Sequence, residues 1–349
     1  MEHKEMNGHQ DARLTVLVPA YNESATVGAT IQSLLVQTVR PGRIIVIDDC
    51  STDNTSQVAA GMGATVMRPP RNSGSKAGAQ NFALGSVQTE FTLAIDADTT
   101  LAPDAVQKML AVADDPDVTA ACGFVLPRYV KTLWERGRYI EYLFAFSFFK
   151  QVQDYYTKPI IASGCFSMYR TQVLKEMGGW STRTVAEDMD LTWRLYQMGK
   201  TVRFVPDAVC YPVEPHSFAF MSKQLRRWSH GFVQNVRLHW RMLLGVPFLR
   251  SLVAVAVWDA VLASLAYLLL LPLLAVLVSP LFLLGYVIDV PAVIVPILPL
   301  AIRRGEFWKA MASLPSFLVL RAVNCVYTLE AFWSELLTDK KLMVFEKGH

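Results

Sequence analysis

The chain has 349 residues, with 33 Lys and Arg against 30 Asp and Glu, a formal net charge of +3 and 52% hydrophobic residues. Its mean hydropathy is +0.27. So apolar and nearly neutral a composition excludes an intrinsically disordered chain, and without a basic groove motif it argues against a nucleic-acid-binding protein. The five cysteines, Cys50, Cys122, Cys165, Cys210 and Cys325, are scattered with no CxxC pair, so neither a disulfide framework nor a structural zinc site is expected. Residues 1–13 form a polar tail without the apolar stretch of a secretory signal, so the soluble part is expected to stay on the side where it is made.

Leu14–Val18 opens the chain's structure as a β-branched, strand-like run, and Ala25–Leu35 follows with helical spacing. Arg43–Ile47, Ala64–Met67 and Phe91–Ile95 read as three further strands. Apolar strands alternating with helices predict an α/β domain with a parallel sheet covered on both faces, over residues 14–215. In such sheets ligands bind at the carboxyl ends of the strands. Three polar clusters fall there: Pro19-Ala20-Tyr21-Asn22-Glu23, Asp48-Asp49 and Asp96-Ala97-Asp98.

Farther on, Arg128–Lys158 is aromatic and helical in pattern, and Ile160–Pro206 carries Ser163-Gly164-Cys165 and Glu187-Asp188. His216–Arg250 holds six Lys and Arg and no acidic residue, interleaved with Phe218, Phe220, Trp228, Phe232, Trp240 and Leu243. That pattern predicts basic amphipathic helices on a membrane surface over 216–250. Ser251–Val278 and Pro280–Ile302 are long enough to span a bilayer, and Asp259 and Asp289 are their only charges. A third apolar segment, Ala310–Leu337, contains Arg321 and Glu330, and its topology is open. Arg303-Arg304 and the trailing Lys340, Lys341 and Lys347 suit the cytoplasmic side. Charges inside the membrane are costly unless paired, and Asp259, Asp289 and Arg321 read best as structural, paired or near an interface.

The chemistry-bearing residues follow the strands. Asp96 and Asp98, two carboxylates on a turn at a sheet edge, can hold a hard divalent cation and leave positions for phosphate oxygens, although short acidic pairs also serve as helix caps. Either Asp48 or Asp49 can accept from a nucleobase or ribose, or close a turn in which Asp53 or Ser51 caps a helix. Asn72–Gly78 is a loop of small residues that admits a phosphate, with Lys76 as a point charge, and it lacks the spacing of a P-loop ATPase. Asp190 has Arg194 four residues on as a local partner, whereas Asp188 has none and is the candidate general base. In Gln224-x-x-Arg227-Trp228, Arg227 can neutralise a diphosphate and Trp228 can stack on a sugar ring; alone, the element also reads as a snorkelling arginine beside an interfacial tryptophan.

Taken in order, PAYNE (19–23), DDCSTD (48–53), KAG (76–78) with Asn81, DAD (96–98), SG (163–164), ED (187–188) and QLRRW (224–228) resemble the family 2 glycosyltransferases. Within them, the set is similar to the processive membrane group of cellulose, hyaluronan and chitin-oligosaccharide synthases, over roughly residues 14–240. The resemblance implies a GT-A, Rossmann-like nucleotide-sugar domain followed by interface helices and C-terminal transmembrane helices. It implies an inverting, metal-dependent transfer from a nucleotide-sugar, with uridine as the base, to a growing β-linked glycan. Ala20, Tyr21, Glu23, Asp48 or Asp49, Lys76 and Asp96 would hold the nucleotide-sugar, and Asp98 with Asp96 would hold Mg²⁺ or Mn²⁺. Asp188, beside Glu187, would act as the base, and Gly164 and Cys165 would border the acceptor. Gln224, Arg227 and Trp228 would close over the diphosphate and the acceptor sugar. Ala186 departs from the family's threonine before ED, and two or three spans argue against self-contained secretion of a long polymer unless a homo-oligomer completes a pore. The alternative acceptor is a lipid such as a polyprenyl phosphate receiving one sugar; an inactive membrane scaffold is the third reading. The catalytic domain is expected to be cytoplasmic on a multi-pass protein of the cell membrane.

Overall fold

A computed structural model describes residues 9–288, 290–338 and 342. Asp289 and the lysines at 340, 341 and 347 therefore lie outside the described residues. The chain forms two compact units, each made of several stretches of sequence. One comprises the chain up to Arg128 with Thr157–Arg183 and Glu187–Val213; the other comprises Tyr129–Tyr156, Thr184–Ala186 and the chain from Glu214.

The elements run β1 (His9–Ala20), α1 (Val27–Leu35), β2 (Val39–Asp48), α2 (Thr55–Gly61), β3 (Thr65–Met67), α3 (Lys76–Leu84), β4 (Phe91–Ile95), β5 (Thr100–Leu101), α4 (Ala105–Ala113) and β6 (Val118–Val125). There follow α5 (Leu133–Phe144), α6 (Lys150–Tyr155), β7 (Phe166–Arg170), α7 (Thr171–Glu176), α8 (Glu187–Gln197), β8 (Thr201–Tyr211) and α9 (Phe218–Gly245). Beyond lie α10 (Pro247–Trp258), α11 (Leu271–Leu277), α12 (Val290–Arg303) and α13 (Phe307–Phe332).

In the first unit the strands make one sheet in the order β3-β2-β1-β4-β7-β6-β8-β5. Its first four strands are parallel, as the apolar runs predict. The sheet as a whole is mixed, because β7 runs antiparallel to both β4 and β6 and β5 runs antiparallel to β8. Burial explains why the pattern alone did not reveal this: every residue of β4 and β6 is buried, so both faces are covered whichever way a neighbour runs. β1 also starts earlier than its apolar core, at His9, so residues 9–13 of the polar tail are strand. β1 pairs with β2 on one side and β4 on the other, and the chain reverses its direction of travel across the sheet between them. Loops leaving the carboxyl ends of β1 and β4 thus diverge and leave a crevice, the usual place for a ligand.

In the second unit α5 begins at a capping box, with Thr132 accepting from the Glu135 N–H and Glu135 accepting from the Thr132 N–H. Gly137 lets α5 approach α13, since a Cβ there would stand 2.8 Å from the Ser316 carbonyl oxygen. Met221, Leu225 and Leu320 form a buried cluster joined by Trp134, Val323 and Tyr327. Three helical runs, Pro247–Leu277, Pro280–Arg303 and Phe307–Leu337, are long and apolar enough to cross a membrane. Only 11% and 12% of the most apolar stretches of the first two are buried within the chain, so their side chains need lipid or another apolar cover. Pro296, Pro299 and Pro315 sit inside these helices, as membrane helices tolerate. Asp259 and Arg321 come within 3.9 Å of one another, one of the arrangements expected for charges in these segments.

Candidate active site

The loops after β1 and β2 are sewn together. The N–H groups of Asn22, Glu23 and Ser24 donate to Ser51 Oγ, Thr55 Oγ1 and Asp53 Oδ2 at 2.9, 2.8 and 3.1 Å. In return Thr52 N–H donates to Asn22 Oδ1 at 2.8 Å. Asn22 and Cys50 both take the left-handed backbone conformation, at φ 54° and 65°, which this stitching holds in place. Asp53 closes its turn by accepting the Thr55 N–H at 3.0 Å, one residue before the helix N-cap, Asn54. Burial resists its ionisation, but the hydrogen bonds from Thr55 and Ser24 prevail and bring its pKa down to about 2.

Several residues expected to touch a nucleotide also shape these loops. Glu23 is 2% exposed and its carboxylate accepts from Thr26 at the start of α1. Asp48 is fully buried, accepts from Ser51 N–H, Ser56 and Arg68, and is held below its usual pKa: desolvation works against the charge, and the serine hydrogen bonds and Arg68 outweigh it. Asp49 accepts from the Ser73 N–H and hydroxyl at 2.8 and 2.7 Å and so anchors the small-residue loop before α3. The sequence does not display these tertiary uses, because the partners lie up to 24 residues away. Ala20 ends β1 in the core, whereas Tyr21, the next residue, is 41% exposed.

The other candidates of this unit converge. Ser75 caps α3 by accepting the Gly78 N–H at 3.1 Å, and this directs Lys76 from the first turn toward the end of β4. Lys76 Nζ pairs with Asp96, donates to the Gly164 carbonyl at 2.9 Å and lies 3.9 Å from Glu187. Burial works against its charge, yet Asp96 and Glu187 together hold the ammonium above its ordinary pKa. Gly164 N–H donates to Asp188 Oδ2 at 2.7 Å, and Asp96 N–H donates to the Cys165 carbonyl at 3.4 Å. Asp188 Oδ1 accepts the Met189 N–H at 2.8 Å within the first turn of α8, where the helix favours anionic side chains. A Cβ at Gly164 would stand 2.9 Å from Asp188 Oδ2 and 3.0 Å from Lys76 Nζ, so these two side chains would have to shift to admit it. Lys76, Asp96, Gly164, Cys165, Glu187 and Asp188 thus form one polar knot at the carboxyl end of β4. Tyr169 of β7, which the motifs did not mark, is buried near it; burial, reinforced by the Asp188 charge, raises its phenol pKa. Asp190, by contrast, pairs with Arg183 at 2.6 Å and Arg194 at 3.6 Å and is structural.

Asp96 and Asp98 are both half-exposed, whereas Ala97 and Thr99 between and after them are buried, so the two carboxylates share the open side of the turn. Asp98 Oδ1 accepts from Thr99 Oγ1 at 3.1 Å. Two hard oxygen donors with room beside them suit Mg²⁺ or Mn²⁺ whose remaining positions a ligand's phosphates would fill. Among the described residues no group of three or more His, Cys, Asp and Glu gathers as a self-sufficient metal cage.

Residues 15–178 match the model of the family described as Glycosyl transferase family 2. Over that stretch the chain is similar to the glycosyltransferases of family 2. It is 28% identical over 235 residues to the poly-beta-1,6-N-acetyl-D-glucosamine synthase of Staphylococcus epidermidis, covering 66% of this chain and 56% of that one. To the synthase of the same name from Staphylococcus aureus it is 26% identical over 222 residues, 62% and 54% of the two chains. The matched part therefore spans little more than half the length of these relatives. The fold is shared with a solved mannosyltransferase from Pyrobaculum calidifontis, in complex with GDP-Man and Mn²⁺, at a TM-score of 0.53 and 20% identity over 90% of this chain and 87% of that one. The mixed α/β sheet is thus a GT-A sheet, as the resemblance implied.

In the second unit, Gln224, Arg227 and Trp228 lie on α9. Gln224 and Arg227 are half-buried, and Trp228 is 39% exposed. The same helix grips the segment leading into Glu187-Asp188: Asn235 donates to Thr184 Oγ1 and to the Ala186 carbonyl, each at 3.2 Å, and Gln234 accepts the Val185 N–H at 3.1 Å. Ala186 packs against Gly231, where a Cβ would come within 2.5 Å of its own. This crowding gives a physical reason for alanine where the family has threonine. Gln234 in turn donates to Glu335 at 2.7 Å, which also meets His230 at 2.8 Å. Neither Gln234 nor Asn235 carries a sequence signal beyond a helical pattern.

Proposed function

We propose that the chain transfers a sugar from a UDP-sugar to the end of a growing β-linked glycan, by direct displacement with inversion at the anomeric carbon. The observation that carries this reading is the knot of Lys76, Asp96, Gly164 and Asp188 at the carboxyl end of β4. Asp188, oriented by the Gly164 N–H, takes the proton from the acceptor hydroxyl as its oxygen bonds to the anomeric carbon and the bond to the diphosphate breaks. Lys76 would offset the charge that develops on the leaving group, and Tyr21 would stack on the base. Asp98, with Asp96, would hold Mg²⁺ or Mn²⁺, which when bound supplies positive charge to the diphosphate. Arg227 is the candidate for a further cation toward the diphosphate and Trp228 for a face toward the acceptor sugar. The three apolar helices support a multi-pass membrane protein, with the transferase domain on the cytoplasmic side where nucleotide-sugars are made.

The test is nucleotide release by detergent-purified protein across UDP- and GDP-sugars, with Mn²⁺, Mg²⁺ or EDTA, and with products sized on a gel. Metal-dependent release from a UDP-sugar with a ladder of products is expected. Release that requires an added polyprenyl phosphate and stops at one sugar would replace the glycan acceptor by a lipid. A folded protein that binds no nucleotide would overturn the reading.

A further inference from the structure

A fully buried guanidinium sits behind the Gln224–Trp228 element. Arg138, in the second turn of α5, is 0% exposed. Its Nη2 donates to Gln224 Oε1 at 2.6 Å, and its Cζ lies 4.4 Å from the centroid of the Trp228 ring. Nη1 pairs with Glu141, Nε lies 3.5 Å from Glu214 Oε2, and Met221 Sδ lies 3.2 Å from Nη2. Glu214, 3% exposed, also accepts from Tyr142 at 2.9 Å and from Gln224 Nε2 at 3.5 Å.

Burying a charge is unfavourable unless it is paired, and Glu141 and Glu214 meet that need. They do not account for the rest of the arrangement. The planar fork reaches the amide oxygen of Gln224 while Glu214 takes its nitrogen, so the amide has one orientation only. The guanidinium also lies over Trp228, so an exposed indole is held against a buried cation. Lysine offers a charge but neither the fork nor the flat face, and it cannot meet both neighbours together. Gly137, the preceding residue, permits the close helix packing that buries this position.

We infer that Arg138 is a positioning residue that fixes Gln224 and Trp228 for their work on the diphosphate and acceptor sugar. The inference rests on the function proposed above for those two residues.

The test is a pair of double-mutant cycles. Arg138→Lys keeps the charge and so the fold; Arg138→Gln is a second variant, and both are checked by thermal melting. Arg138→Lys is expected to lower kcat by about tenfold to a hundredfold with little change in the donor KM. The loss should shrink to less than about threefold in Gln224→Ala or Trp228→Leu backgrounds, because the residue acts through those partners. A readout without turnover accompanies it: acrylamide quenching of the Trp228 signal, taken as the difference between proteins with Trp228 and with Trp228→Leu. That difference should rise in Arg138→Lys. An equal loss of kcat with and without the partners, or unchanged kcat and quenching, would overturn the inference. If the parent protein turned over no donor, the proposed function would fail separately, while quenching would still decide whether Arg138 holds Trp228.

Discussion

At the scale of residues, the carboxylates divide by what surrounds them. Asp188 receives two N–H groups and stands half-exposed, so it is oriented without being consumed. Asp188→Asn can keep only one of the two acceptor contacts, through its single amide oxygen, and it removes the carboxylate's charge and basicity; on the proposed role kcat should fall about 10²–10⁴-fold. Asp53 serves structure, and its effect has a defined pH range. Its folded-state pKa lies below the unfolded value of about 3.9, so the stability it contributes is present above that value and is lost as pH falls through about 2. In urea titrations the gap between the parent protein and Asp53→Asn should therefore be widest near neutral pH and close between about pH 4 and pH 2. A gap that widened on acidification would contradict the assignment. Local spacing marks Asp96, Asp98 and Asp188 as candidates and marks Glu23, Asp48 and Asp49 equally, since these are just as acidic and just as close to a strand end. In the structure Glu23, Asp48 and Asp49 are buried, and Asp48 and Asp49 bond to Arg68 and Ser73, 20 and 24 residues away.

At the scale of elements, two small contacts set the geometry of larger ones. Asn81 on α3 donates to the Trp180 carbonyl at 2.7 Å and accepts its N–H at 2.9 Å. Gly179, at φ +73°, passes so close that a Cβ would lie 2.2 Å from Asn81 Oδ1. Gly179→Ala should cost about 1–3 kcal/mol, read as a lowered Tm. The second contact is the grip of Gln234 and Asn235 on Thr184–Ala186, which leads directly into α8. Asn235→Ala should reduce kcat about 10–10²-fold by loosening the approach to Asp188, with donor KM little changed; a change confined to KM would argue against it. Apolar runs and Gly and Ser punctuation made most strands and helices legible. The antiparallel β7 was not, since a strand covered on both faces has the same pattern in either direction. Arg138 was missed for a related reason: an arginine on a helix reads as surface until the helix packed over it is known.

At the scale of the whole molecule, the ordered motifs made the α/β domain legible, and long uncharged runs did the same for the apolar helices. That each compact unit draws on several stretches of sequence was not legible, because it depends on which helix covers which apolar stripe. The exposed apolar helices predict that the protein stays with membranes after alkaline carbonate washing and leaves them only in detergent; release by carbonate alone would contradict a spanning arrangement. The central claim is that the knot around Asp188 is where a sugar is transferred. It is tested most directly by comparing the parent protein with Asp188→Asn for UDP-sugar affinity by calorimetry and for UDP release in the same preparation. The account predicts donor affinity within about threefold and release reduced at least about 10²-fold. Release within about threefold of the parent, at equal affinity, would contradict it.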